Sequence, residues 1–214
     1  QAIIRAAGVP LAAPSANLSG SPSPTTAQDV LADMDGRVPL ILDGGACEVG
    51  VESTVVSLAG PSPVLLRPGG ITKEQLEAVL GCEVQLAHAV LHGLREGEKA
   101  ASPGMKYKHY APKAEVTLVK GPFRAYCDYV AGHAGPGVFA LCYEGEEAEL
   151  NVPAVTYGRR ESAASQAHAL FGALRELDRR GARTVYARCP RADGMALAVY
   201  NRILRAAAFR VVDV

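Results

Sequence analysis

Four sites in this sequence bring together residue types that could do chemistry. The first is the stretch 15–23, where Ser15, Asn17, Ser19, Ser21 and Ser23 crowd beside prolines. It follows a short apolar run and precedes a helix-start signal. Hydroxyls and backbone N–H groups at such a place suit a phosphate or carboxylate ligand. They equally suit a solvated turn whose Ser and Asn side chains cap their own backbone. The second site is Glu52-Ser53-Thr54, a hydroxyl pair entering a strand after Gly44, Gly45 and Gly50. The third is Arg67, a lone guanidinium closing the apolar run Val64-Leu65-Leu66 before Pro68-Gly69-Gly70. A fixed, multidentate cation at a strand end beside a Gly-rich turn fits an anion clamp, or else a surface salt bridge.

A fourth cluster, Lys106-Tyr107-Lys108-His109-Tyr110, interleaves cations with aromatics. It could stack on a base and neutralise phosphate, or pin a linker to a domain surface. Other chemistries find no support. His88, His92, His133 and His168 show no metal-ligand spacing. No Walker-type loop, dinucleotide fingerprint or nucleophile elbow is present, and the serines lack a neighbouring acid–base partner.

The elements that must position these residues fall into two halves. In the first, residues 3–7 read as a final helical turn closed by Gly8. Strands are expected at 11–13, 38–42, 54–58 and 64–67. Thr25 with Gln28, and Thr72 with Gln75, read as capping boxes opening helices that run to about Met34 and Leu80. Residues 95–112 have neither helical nor strand periodicity and read as a linker or functional loop. Beyond them strands at 116–119, 138–143, 154–157 and 184–187 alternate with helices at 123–131, 163–180 and 195–208. Leu197, Tyr200, Leu204 and Ala207 share one face of the last helix. Such alternation predicts an α/β layer with a mainly parallel sheet.

Composition narrows the function classes. Lys plus Arg number 22 and Asp plus Glu 22, so no general basic surface advertises nucleic acid or anionic lipid. The longest apolar run, 138–143, is far too short to cross a membrane, and no basic-then-apolar leader opens the sequence. Five cysteines without a CxxC pair read as reduced thiols, giving a cytoplasmic expectation. The 22 Gly and 14 Pro imply many tight turns. The sequence opens on Gln1 rather than Met and reads as a fragment that begins inside an element.

The ordered set Ala13-Pro-Ser-Ala-Asn-Leu-Ser-Gly20, Ser23-Pro-Thr-Thr26, Asp43-Gly-Gly45, Gly50-Val-Glu-Ser-Thr-Val-Val56 and Leu66-Arg-Pro-Gly-Gly70 closely resembles the threonylcarbamoyl-AMP synthases. Ser102-Pro-Gly-Met-Lys-Tyr-Lys-His-Tyr-Ala-Pro112 is similar to the linker of their two-domain members. The resemblance covers essentially the whole sequence. It implies the C-terminal portion of a YrdC-like twisted open α/β sheet domain over 1–94, a linker or gate over 95–113, and a small Rossmann-like α/β domain over 114–214.

The implied reaction turns L-threonine, bicarbonate or CO2 and ATP into threonylcarbamoyl-AMP and diphosphate, with Mg2+ carried by ATP. Other proteins would then pass the group to a tRNA adenosine. Carried over by position, Ser15 and Ser23 would contact ATP, and Arg67 would hold its phosphates. Ser53 and the backbone at Ala13 would hold threonine, with Asn17 and Thr54 shaping the cavity. Tyr107 and Tyr110 would close over it as a gate. No protein nucleophile or protein-held metal is implied. The family's Lys-x-Arg pair does not occur before Ser15, where Arg5 stands alone, so these 214 residues are expected to be impaired. Two other readings remain: a tRNA- or RNA-binding module of the same fold without catalysis, favoured by the 106–113 cations, and a carbamoyl-transferring enzyme of the hydrogenase-maturation type.

Overall fold

The strongest packing in the molecule lies in a five-stranded sheet built from the second half of the chain. The structure is a computed structural model that describes residues 1–93 and 111–214. The expected linker, with Lys106, Tyr107, Lys108, His109 and Tyr110, lies outside the described residues except at its last three positions.

Strands β4 (Glu115–Lys120), β5 (Val138–Cys142), β6 (Ala154–Thr156), β7 (Thr184–Arg188) and β8 (Val211–Asp213) pair in the order β6-β5-β7-β4-β8. Every pairing is parallel. Parallel neighbours need crossover connections, and three helices supply them: α5 (Phe123–Gly132), α6 (Ala163–Arg179) and α7 (Ala196–Ala206). Tyr126 and Val130 of α5 pack with Val119, Ala140 and Cys142 on one face. On the other face Leu170, Leu174 and Leu177 of α6, with Val199 and Ile203 of α7, pack on Val116, Leu118, Leu141 and Val185. Covering both faces is why these strands read as continuous apolar runs. The expected elements here are found with ends moved by a residue or two; β8 was not anticipated.

The first half forms a smaller layer. Strands β1 (Val55–Ser57), β2 (Val64–Arg67) and β3 (Gln85–Leu86) make a three-stranded sheet, β1 antiparallel and β3 parallel to β2. Helices α1 (Ala2–Ala7), α2 (Ala27–Met34), α3 (Lys73–Leu80) and the short α4 (His88–Leu91) accompany it. Gly8 caps α1 at φ 65°, as expected. Thr72 and Gln75 form the full reciprocal capping box of α3, with Gly81 closing it in the left-handed conformation.

Two expectations fail here, and a third shifts. Residues 11–13 and 38–42 are not strands. Leu11, Leu40 and Leu42 are exposed, and a strand without a hydrogen-bonded neighbour has nothing to hold it extended. The α2 cap is Thr26 rather than Thr25: its hydroxyl accepts from the Asp29 amide at 3.2 Å, and the Asp29 carboxylate accepts from the Thr25 amide at 3.3 Å.

The two layers interlock. Val51 of the first half sits in the core of the five-stranded layer, and Leu197 of α7 joins Leu65, Val84 and Val90 in the core of the smaller one.

Candidate functional site

At the end of β2 the chain turns through Pro68-Gly69-Gly70, and that turn decides the geometry around Ser53. A Cβ on Gly69 would sit 2.2 Å from the Glu52 carbonyl oxygen and 2.4 Å from the Thr54 nitrogen. Only glycine lets the turn lie flat against the backbone of 52–54. Arg67 then reaches across, its Nε donating to the Ser53 carbonyl at 3.0 Å and its guanidinium to the Ser53 hydroxyl at 3.2 Å. The Thr54 hydroxyl donates to the Ile71 carbonyl at 2.6 Å and accepts from the Ile71 amide at 3.1 Å, closing the far side of the turn. The structure thus brings together Ser53, Thr54 and Arg67.

The Ser-rich loop is held by a separate set of bonds. The Asn17 amide group donates to the Leu18 and Ser21 carbonyls, both at 3.0 Å, so it folds the loop on itself. The Asn17 backbone amide donates to the Ser15 carbonyl at 2.9 Å. Ala13 and Ser15 are exposed. Ser23 is buried, and its hydroxyl has no hydrogen-bond partner among the described residues. The Cys47 amide donates to the Thr25 carbonyl at 2.9 Å, tying the glycine-bearing 44–50 stretch to the start of α2.

Both loops are anchored from the other layer by buried arginines that no sequence motif marks. Arg175 of α6 binds the Asp33 carboxylate through two hydrogen bonds, 3.1 and 2.7 Å, and donates to the Pro22 carbonyl at 2.6 Å. Asp33 in turn accepts from the Leu18 amide at 3.1 Å, so Arg175 reaches the Ser-rich loop from both ends. The guanidinium of Arg175, with the Leu18 amide, holds the Asp33 carboxyl below its ordinary value against the opposing effect of burial. Arg202 of α7, 2% exposed in its side chain, pairs with Glu52 at 3.0 Å, one residue from Ser53. Gly50 packs on the Ala167 and His168 carbonyls of α6, where a Cβ would come within 2.4 Å of oxygen. In the sequence each stands one place off an apolar helical stripe, Arg175 after Leu174 and Arg202 before Ile203, a position that does not distinguish it from a solvated charge.

Two thiols of the five-stranded layer are poor nucleophiles. Burial pushes Cys142 up to about 12 and Cys189 up to about 11, leaving both protonated at neutral pH. Among the described residues no group of three His, Cys, Asp or Glu is placed to hold a metal ion, and no helix is long and apolar enough to cross a membrane. The arrangement can bind and orient an anion beside a hydroxyl-bearing ligand.

Comparison with known proteins shows the family. Residues 71–208 match the family model described as threonylcarbamoyl-AMP synthase, C-terminal domain, and residues 1–69 match one described as telomere recombination. A threonylcarbamoyl-AMP synthase of Bacillus subtilis is 44% identical over 220 residues, covering 99% of this chain and 61% of the relative. One from Pyrococcus abyssi is 40% identical, covering 96% of this chain and 60% of the relative. The crystal structure of P. abyssi Sua5 complexed with L-threonine superposes with a TM-score of 0.88 at 38% identity, covering 99% of this chain and 62% of that one. The chain therefore spans about three-fifths of the length of these relatives.

Proposed function

The chain belongs to the threonylcarbamoyl-AMP synthase family, and from that premise we propose that its Ser53–Arg67 site takes part in making threonylcarbamoyl-AMP from L-threonine, bicarbonate or CO2 and ATP. The observation that carries this reading is the pairing of Arg67 with Ser53 over the Gly69 turn. It sets a permanent cation and a hydroxyl side by side on a rigid strand end, where a phosphate and an amino acid could meet.

The reaction asks for positioning more than for a reactive side chain. The threonine nitrogen bonds to the carbon of CO2 and loses a proton. A carbamate oxygen then attacks the α-phosphorus of ATP, and diphosphate leaves. Two anions must approach each other, so the protein's task is alignment and charge neutralisation. Arg67 would hold the phosphates as a fixed, multidentate donor. The Ser53 hydroxyl and the Ala13 backbone would hold threonine, with Thr54 and Asn17 fixing the walls. Among the serines of the loop, exposed Ser15 is open to ATP, and Ser23, buried with no hydrogen-bond partner among the described residues, would be its second contact. Mg2+ arrives with ATP, as part of the substrate. Tyr107 and Tyr110 would close the site within a linker at 95–113, joining units 1–94 and 114–214. The product would pass to proteins that modify tRNA.

Isothermal titration with L-threonine and with ATP tests the assignment. Ser53→Ala should weaken threonine, and Arg67→Ala should weaken ATP. Each effect should be about tenfold or more, the usual consequence of deleting one hydrogen bond to a bound ligand. Diphosphate release dependent on carbamoyl phosphate, rather than on threonine with bicarbonate, would overturn the reading.

A further inference from the structure

The parallel sheet carries a second concave, cation-lined place, which shares no lining residue with the Ser53–Arg67 pair. From β4 the chain crosses by α5 toward β5, while from the adjacent β7 it crosses by α7 toward β8 on the opposite side. The order reverses between these two neighbours, so their following loops diverge to opposite faces of the sheet. Such a reversal leaves a crevice beyond the carboxyl ends of the strands, the usual ligand position in open parallel sheets. Here that crevice is a cavity of about 700 Å3, within the range of small-molecule sites.

Its walls come from the loops after β4, β5, β6 and β7 together, and they carry four cations: Lys120, Arg160, Arg188 and Arg191. Against them the wall holds one carboxylate, Glu161. The cations are not equivalent. Arg188 is buried and locked, pairing with Glu146 at 3.1 Å and donating to the Gly121 carbonyl at 3.0 Å. It forms the floor and fixes the turn into α5. Among the described residues Lys120 and Arg191 pair only with exposed carboxylates, Asp213 at 3.4 Å and Asp193 at 2.6 Å. Exposed pairs of this kind are weak and exchange readily for a better anion. Arg160 has no ion-pair partner among the described residues. The Cys189 thiol beside them stays protonated and adds no negative charge. Helix α5 starts from this edge with no side-chain cap on its first amides, whereas in α7 the Leu197 and Ala198 amides are taken by the Asp193 and Met195 carbonyls.

We propose that this crevice binds a small phosphate-bearing anion of nucleotide size, at a site distinct from the Ser53–Arg67 pair. The exchangeable cations Lys120, Arg160 and Arg191 supply the charge, and the Arg188–Glu146 pair holds the shape. Guanidinium forks match phosphoryl oxygens in geometry as well as charge. Tyr200, half-buried at the rim, offers a ring to the remainder of the ligand.

The test is isothermal titration of the whole 214-residue chain with AMP, ATP and inorganic pyrophosphate, compared with Arg160→Ala/Arg191→Ala and with Arg67→Ala. Residues 160 and 191 are exposed, so the double variant should melt as the parent does. The expected result is a binding event weakened about tenfold or more in the double variant and unchanged in Arg67→Ala. That event should also weaken between about 0.05 M and about 0.3 M salt, as screening requires. AMP binding more tightly than pyrophosphate would identify a nucleotide as the ligand, and equal affinities the phosphoryl group alone. Binding of all three probes unchanged by the double variant, or no binding that survives Arg67→Ala, would overturn the proposal. Neither result counts against the Ser53–Arg67 assignment: loss of all binding in Arg67→Ala would agree with it, and threonine binding by Ser53→Ala tests it separately. Chemical-shift changes at the Gly121 and Ala192 amides on adding AMP provide a second, mutation-free readout.

Discussion

In the five-stranded layer each element is supported by its neighbours, whereas the loops of the smaller layer that could carry chemistry are supported from outside it. Four of the five residues of β5 are buried, and β1 has none. In the smaller layer Leu40, Leu42, Leu58 and Val79 stand exposed. Yet the Ser-rich loop and the Glu52-Ser53-Thr54 segment are each tied to a guanidinium rising from α6 or α7. The lesson is physical. A loop with little core of its own obtains a defined conformation from charged, hydrogen-bonded anchors on a rigid helix, because apolar contact is non-directional and such anchors are not. On this view the second layer is the scaffold of the site rather than an appendage.

The largest effect should come from removing the deepest anchor. Arg202→Ala leaves the Glu52 carboxylate, about nine-tenths buried, without its partner. Breaking a buried pair in this way costs about 3–5 kcal/mol. Denaturant unfolding should show that loss, and threonine affinity should fall with it, since Ser53 is the next residue. Converting both partners to apolar residues, Glu52→Leu with Arg202→Met, should recover much of the stability. If Arg202→Ala were neutral, the smaller layer would be self-supporting after all.

Arg175→Ala should cost somewhat less, about 2–3 kcal/mol, because Asp33 keeps its hydrogen bond from the Leu18 amide when the guanidinium is removed. Its signature is in the pH dependence. Asp33 has a lowered pKa in the folded chain, chiefly through the Arg175 hydrogen bonds. Its contribution is therefore present above the ordinary Asp value and is lost as pH falls through the folded one. The parent should destabilise below about pH 4, and Arg175→Ala should show a flatter acid limb in thermal melts. An equally steep limb in the variant would place the acid sensitivity elsewhere.

The same contrast explains what could be read from sequence. In the five-stranded layer the expected strands β4 to β7 and helices α5 to α7 appear within a residue or two, since strands covered on both faces must be apolar throughout. The apolar runs at 11–13 and 38–42 look similar, but pairing is non-local and neither run has a partner strand among the described residues. Strand β3 has two residues and β8 three, too short for any period to show. Arg67 was legible because an isolated cation ended an apolar strand beside Gly69 and Gly70. Arg175 and Arg202 were not, because an arginine one place off an apolar stripe looks solvated until its partner is located. Asp33 lies 142 residues from Arg175, and no local pattern links them.

The smallest effect should come from support that is purely local. Thr72 caps α3 through a box closed entirely within four residues, its hydroxyl accepting from the Gln75 amide and the Gln75 side chain accepting from the Thr72 amide. Thr72→Ala should cost about 1 kcal/mol of stability in denaturant unfolding, the usual value of an N-cap. The cap lies next to Ile71, which the Thr54 hydroxyl grips through both its amide and its carbonyl. Because that grip does not use Thr72, the loss should stay in α3 and threonine affinity should be unchanged. The two substitutions then separate two kinds of support: Thr72→Ala lowers stability without touching the site, and Arg202→Ala lowers both. A fall in threonine affinity in Thr72→Ala comparable to that in Arg202→Ala would mean that the turn at 68–71 depends on its own helix, and that the arginines only add to a site the smaller layer already defines.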